Sequence, residues 1–148
     1  MNMNEIYNPF NLMPAELAQA AEAFPLYSQD NEGWNTRILA LYNLIAVNAE
    51  GAPVGTTGIY WVMFEYNPTE HIAFGLACIH EPELGLFYLQ ELSEKIPYNG
   101  ANLIAVRDLD FPPAAITMRD VYAQHLISAE ALQHLTRVWG EPDETPEE

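Results

Sequence analysis

Two short clusters in this sequence hold side chains that could do chemistry. The first is His80-Glu81-Pro82-Glu83, where one very apolar segment gives way to another. A histidine followed by a glutamate opens the helical zinc motif His-Glu-x-x-His, in which two histidines one turn apart hold the metal and the glutamate acts as a base. Here position 84 is leucine, and Pro82 would break the helix that aligns such ligands. His71 lies nine residues before His80, and an odd separation along one strand puts the two on opposite faces. The expectation is an acidic hairpin turn, with no metal and no cofactor.

The second cluster is Arg107-Asp108-Leu109-Asp110-Phe111, directly after the apolar run LIAV. A guanidinium at the end of a strand calls for a carboxylate, and Asp108, Asp110, Glu81 or Glu83 could supply it. One reading is a structural ion pair that fixes two loops. The other is an anion-binding or catalytic pocket joining the turn at 81–83 to the segment at 107–110. A structural contact between Arg107 and Glu81 or Glu83 is expected.

Elsewhere the chemistry thins out. His125 and His134 fall on different predicted helices, and Cys78 sits in an apolar run as a core residue would. The chain has no GxSxG, Walker loop, GxGxxG or CxxC pair. Tyrosine and tryptophan are plentiful, but no basic patch accompanies them to make a nucleic-acid stacking surface.

The elements that must position these residues follow from periodicity. Pro14 to Phe24 reads as a helix, with Leu17, Ala20, Ala21 and Phe24 at helical spacing. Arg37 to Val47 reads as a strand, followed by turn residues through Pro53. Ile59 to Tyr66 is a strand apolar on both faces, Ile59, Trp61 and Met63 on one and Tyr60, Val62, Phe64 and Tyr66 on the other, so both should be covered. Ile72 to Ile79 has a large face and a small one, the latter (Ala73, Gly75, Ala77) open to close approach by another backbone, such as a helix. Leu84 to Leu89 is its hairpin partner, and Gln90 to Ile96 can hold one helical turn. Asn99-Gly100 marks a turn before a strand at Leu103–Val106, which Pro112-Pro113 closes off. Thr117 with Asp120 caps a helix to about Leu126, and Ser128 opens another that runs to Trp139 and stops at Gly140. Strands in the middle and helices at both ends predict one α+β domain over 1–140 with a mainly antiparallel sheet, and an acidic, disordered tail over 141–148.

Composition narrows the function classes. At 148 residues and 49% hydrophobic, with aromatics throughout, the chain can bury a real core. No apolar run reaches the roughly 18 residues of a membrane span. The N-terminus shows no basic leader before an apolar run, so no signal peptide is expected, and a single cysteine fits a reducing cytoplasm. Charge is the outstanding feature: 21 Asp and Glu face five Lys and Arg, a formal net charge of -16. Without the five acids after Gly140, the remaining 16 acids against five bases still give -11. Such a surface repels nucleic acid and anionic membranes and attracts basic proteins, though acidity also serves solubility alone.

One ordered series of short motifs goes beyond composition. Pro25-Leu-Tyr-Ser-Gln-Asp is followed by Tyr60-Trp61 with Glu65, Phe74-Gly75-Leu76, Glu83-Leu84-Gly85, Glu91-Leu92 and Arg107-Asp108-Leu109-Asp110-Phe111. Over about residues 25 to 122 this resembles the bacterial family called "domain of unknown function 2958". There a Leu-Tyr segment precedes Trp-Tyr and Phe-Gly-Leu strands, a Glu-Leu-Gly turn with a later Glu-Leu, and a Glu-Arg-Asp-Leu segment ending in Phe. This chain departs from it in the order Tyr60-Trp61, in Val106 before the Arg-Asp pair, and in lacking an early-strand lysine unless Arg37 replaces it. The resemblance implies an accessory protein of mobile elements and no agreed activity. The first expectation is therefore a non-enzymatic acidic interaction protein on a basic, nucleic-acid-binding partner, its sharpest form an anti-CRISPR or anti-restriction nucleic-acid mimic. A small enzyme or anionic-ligand-binding domain built on Arg107, and an accessory subunit of a larger assembly, are the alternatives.

Overall fold

The central element is a strand that the sequence makes apolar on both sides and that the fold buries on both sides. A computed structural model describes residues 8, 9 and 11–142, and the expected acidic tail lies outside them from residue 143 on. Strands β1 (Arg37–Ile38), β2 (Ala40–Val47), β3 (Pro53–Asn67), β4 (Ile72–Cys78), β5 (Pro82–Tyr88), β6 (Ile96–Tyr98), β7 (Ala101–Arg107) and β8 (Ile116–Thr117) form two sheets. The larger has six strands in the order β5-β4-β3-β2-β7-β6, every neighbour antiparallel. The smaller pairs β1 with β8. The helices are α1 (Ala15–Ala21), α2 (Leu89–Leu92), α3 (Met118–Gln124) and α4 (Ala129–Trp139). The architecture is a single α+β domain, as the order of elements predicts.

Each face of the sheet has its own core. On one, Tyr42, Met63, Ala73 and Phe87 pack with Leu17 and Ala21 of α1 and Leu89 and Leu92 of α2. On the other, Tyr60, Val62, Phe64, Leu76 and Cys78 pack with Met118 and Val121 of α3 and Leu132 and Leu135 of α4. Leu17 and Leu135 are fully buried, each contributing about 1.5–3 kcal/mol of apolar burial. Trp34 locks the second layer, packing edge-on against Tyr122 at 5.1 Å and Trp139 at 5.2 Å while its indole N–H donates to the Gly140 carbonyl at 2.8 Å.

One expectation needs correction and another needs sharpening. The β3–β4 register shifts between Met63 and Glu65, a β-bulge. Strict alternation put Tyr66 with Tyr60, Val62 and Phe64, but the extra residue moves Tyr66 to the α1 face beside Met63. The bulge lies beside Gly75 of the small face of β4, which pairs with Met63. Ala73 of that face packs in the core that α1 and α2 cover, but the closest approach is by the neighbouring strand: a Cβ on Gly75 would lie 1.8 Å from the Val62 carbonyl oxygen.

Local chemistry sets most boundaries. Thr117 and Asp120 form a reciprocal capping box, with Asp120 N–H donating to Thr117 Oγ1 at 3.2 Å and Thr117 N–H to Asp120 Oδ2 at 3.1 Å. His125 adopts a left-handed conformation (φ 53°) and ends α3 at Gln124, short of the Leu126 expected. Ser128 caps α4, and Gly140 (φ 82°) follows its last residue. Asn99 (φ 51°) and Gly100 (φ 79°) make the two-residue hairpin between β6 and β7, the geometry that an Asn-Gly pair favours.

Candidate functional site

The Arg107 cluster ends β7 and is held mainly through its backbone. Arg107 N–H donates to Asn8 Oδ1 at 2.8 Å, and its carbonyl accepts from Asn8 Nδ2 at 2.9 Å. Its neighbour across the ladder is Tyr42, on the α1 face. Burial raises the Tyr42 phenol far above its ordinary range, and the nearby guanidinium only partly offsets this. The Arg107 Nε is buried and has no hydrogen-bond partner among the described residues. Asp108 leaves the strand in a tight turn: its N–H donates to the Leu41 carbonyl at 2.8 Å, and its Oδ1 accepts from Asp110 N–H at 2.9 Å. Leu109 and Asp110 are exposed.

Glu81 and Glu83 lie elsewhere. The β4–β5 hairpin is present, but its turn falls at 79–81 and not at 81–83: Cys78 pairs with Pro82, Pro82 and Glu83 already belong to β5, and both glutamates are exposed. Glu83, Ala77, Trp61, Tyr42 and Arg107 form one row across the sheet. That row puts Glu83 four strand spacings from Arg107, roughly 19 Å at about 4.8 Å each. At that separation the contact expected between Arg107 and Glu81 or Glu83 is not made, and the turn does not share a site with the segment at 107–110. The reason is topological: a hairpin's neighbour in sequence need not neighbour the next hairpin in the sheet.

His71 and His80 flank opposite ends of β4, the former hydrogen-bonded through Nδ1 to the Tyr66 hydroxyl at 3.0 Å. Among the described residues no three His, Cys, Asp or Glu side chains converge in a way that could hold a metal ion.

Of the five candidate residues, Asp108 alone borders an open cleft of ≈ 520 Å³ that Asn43, Tyr60, His125 and Ser128 also line. Within it, the Tyr60 hydroxyl lies 3.0 Å from Ser128 Oγ and accepts from Ser128 N–H at 3.2 Å. Burial, followed by a hydrogen bond with the Cys78 thiol, pushes the Tyr60 phenol up to about 12. Burial also raises the Cys78 thiol. Ser128 Oγ accepts from Ala131 N–H at 3.2 Å as the α4 cap. This trio is an anchor: near neutral pH the phenol and thiol stay protonated, and no histidine among the described residues bonds Ser128 or Cys78 to activate either.

The buried acid is one that charge-cluster reasoning passed over. Glu65, 2% exposed, accepts from Tyr27 N–H at 2.7 Å and Gln29 N–H at 2.8 Å. Gln29, also buried, donates to the carbonyls of Phe64 (2.9 Å) and Arg37 (3.1 Å) and accepts from Arg37 N–H at 2.8 Å. Together they pin the loop before β1 to the bulge in β3 and hold Tyr27, a residue 70% exposed, in the left-handed region (φ 75°). Locally the signal was a lone glutamate inside an apolar strand; Glu65 and the Tyr27–Gln29 segment also stood together in the ordered motif series, which gave no hint of a contact between them.

What remains on the surface is charge. Glu16, Glu22, Asp30, Glu32, Glu50, Glu70, Glu81, Glu83, Glu91, Glu94, Asp110, Glu130 and Glu141 are exposed. Of the five cations, Arg107 and Arg119 are half-buried, Arg37 donates to the Ala114 carbonyl at 3.0 Å and Arg119 to Asn35 Oδ1 at 3.3 Å, while Lys95 and Arg137 stand exposed. No helix among the described residues is long and apolar enough to cross a membrane. No family model matches this chain, and neither a curated protein nor a solved structure matches it.

Proposed function

We propose that this chain is a non-enzymatic interaction module that uses its acidic surface to bind a basic, nucleic-acid-handling protein. The observation that carries the reading is the imbalance at the surface: among the described residues thirteen exposed carboxylates stand against three exposed cations, Arg37, Lys95 and Arg137. Carboxylates on a rigid scaffold present negative charge as a phosphate backbone does, and attract a basic groove over about a Debye length. Exposed Tyr27, Leu86, Tyr88 and Tyr98 would add the apolar contacts that make such an encounter specific. The motif resemblance to the mobile-element family agrees with an inhibitor of host defence, anti-CRISPR or anti-restriction, acting in the cytoplasm without a cofactor.

The test is competition. Purified chain is titrated against RNA-guided and restriction nucleases with labelled nucleic acid already bound. Displacement of the nucleic acid, with affinity falling steeply as salt rises, is the expected result. Failure to displace nucleic acid from any of them at low salt would remove the mimicry reading.

A further inference from the structure

The two edges of the large sheet are treated differently. Edge strand β6 has three residues with Pro97 in its middle, so it offers little to a passing strand. Edge strand β5 has seven, paired without a register shift to β4 along its whole length. It carries no lysine and no bulge, and its one proline is its first residue. Among the described residues, nothing bonds its outer backbone groups.

The phase of that edge can be read from one hydrogen bond. Leu89 N–H donates to the His71 carbonyl at 3.2 Å, so pair 71–89 is a bonded pair of the antiparallel ladder. By alternation Ala73–Phe87, Gly75–Gly85 and Ala77–Glu83 are bonded too. Leu84, Leu86 and Tyr88 therefore turn their N–H and C=O groups outward. Pro82 falls in the same phase, where its missing N–H costs the ladder nothing. Leu86 pairs with Phe74, which packs on the α4 side, so these three side chains share that face. Leu86 is 57% and Tyr88 45% exposed.

We propose that β5 is a docking edge at which an extended basic segment of a partner protein adds as a seventh strand. This rests on the reading of a basic partner and names its site and mode. Charge chooses the occupant. Exposed Glu81 and Glu83 stand at the start of β5, and exposed Glu91 and Glu94 just beyond its end. A second copy laid antiparallel would set these carboxylates beside one another, on top of mutual repulsion between chains of net charge -16. A strand alternating Lys or Arg with Val, Leu or Tyr instead places its apolar residues over Leu86 and Tyr88 and its cations beside Glu83 and the flanking acids.

The test uses the full chain and a panel of synthetic peptides of that alternation, matched in length to β5, each with a backbone N-methylated twin. Amide exchange at Leu84, Leu86 and Tyr88 slows about tenfold on binding, while Gly85 and Phe87, already bonded to β4, change little. The variant Leu86→Pro removes an outward N–H without touching the ladder and weakens binding by about tenfold, as does N-methylation. Leu86→Lys, an edge-blocking charge, repeats the loss if the proline variant unfolds. Equal binding by variants and N-methylated twins overturns strand addition and leaves the basic-partner reading standing. A dimer in sedimentation that Leu86→Lys abolishes overturns the choice of occupant in favour of a second copy. Absence of binding by every peptide at low salt overturns both.

Discussion

Glu65 shows how much one residue can hold. Its two oxygens take the Tyr27 and Gln29 amides, so Glu65→Ala leaves one buried and one part-buried donor without an acceptor. The expected cost is about 2–4 kcal/mol, with Glu65→Gln losing roughly half as much because its amide oxygen still accepts one bond. Urea unfolding measures both, and an alanine variant as stable as the parent would show that the loop does not depend on this acid. Tyr60 gives the pH prediction. Its phenol is raised from 10.0 to about 12 in the folded chain, so its neutral form is the one the fold favours. Its contribution is complete below pH 10 and is lost as pH rises through 12, at about 1.4 kcal/mol per pH unit in between. Unfolding at a series of pH values between 9 and 12 should fall more gently in Tyr60→Phe; parallel profiles would sink the assignment. Neither residue stood out among the charged clusters of the sequence. His80 and Glu81 drew attention by type, yet both are exposed turn residues. Glu65 draws its role from amides 36 and 38 positions away, which no local pattern reveals.

At the scale of elements, the bulge in β3 is the feature that local reasoning could not supply. Beside it, the close strand approach is testable at Gly75, where any side chain meets the Val62 carbonyl oxygen at 1.8 Å. Backbone cannot yield as a flexible side chain does, so Gly75→Ala should lose about 3 kcal/mol or more, with a matching fall in melting temperature. Gly85→Ala, with open space at its Cβ, is the control and should stay within about 1 kcal/mol of the parent. Comparable losses at both positions would mean that the close strand approach is not what requires Gly75. Where signals were short-range, the sequence was a good guide. Ser128, Thr117 with Asp120, Asn99-Gly100 and Gly140 each mark their own boundary through bonds spanning a few residues. Strand β3 was legible from two apolar faces. Its bulge was not, because a bulge is a property of a pair of strands.

The whole molecule is governed by its charge. With -16 overall, the folded chain works against its own repulsion, and salt should relieve it. Raising ionic strength from about 0.01 to 0.15 M should lift the melting temperature by about 2–4 °C, the equivalent of roughly 1 kcal/mol for a chain of this size. Removing residues 141–148 takes away five carboxylates and should flatten that response without lowering stability. A melting temperature insensitive to salt would show that the acids are already balanced within the fold. By itself, the sequence determined the α+β class, the acidity, the capped helices and the β4–β5 hairpin, since each depends on composition or on neighbours within one turn. Only the tertiary structure decided that Arg107 and Glu83 share a row four strand spacings apart, that Glu65 is the buried acid, and that β5 is an open edge. Those outcomes depend on strand order and register, which come from how the two apolar faces are covered and not from any segment alone.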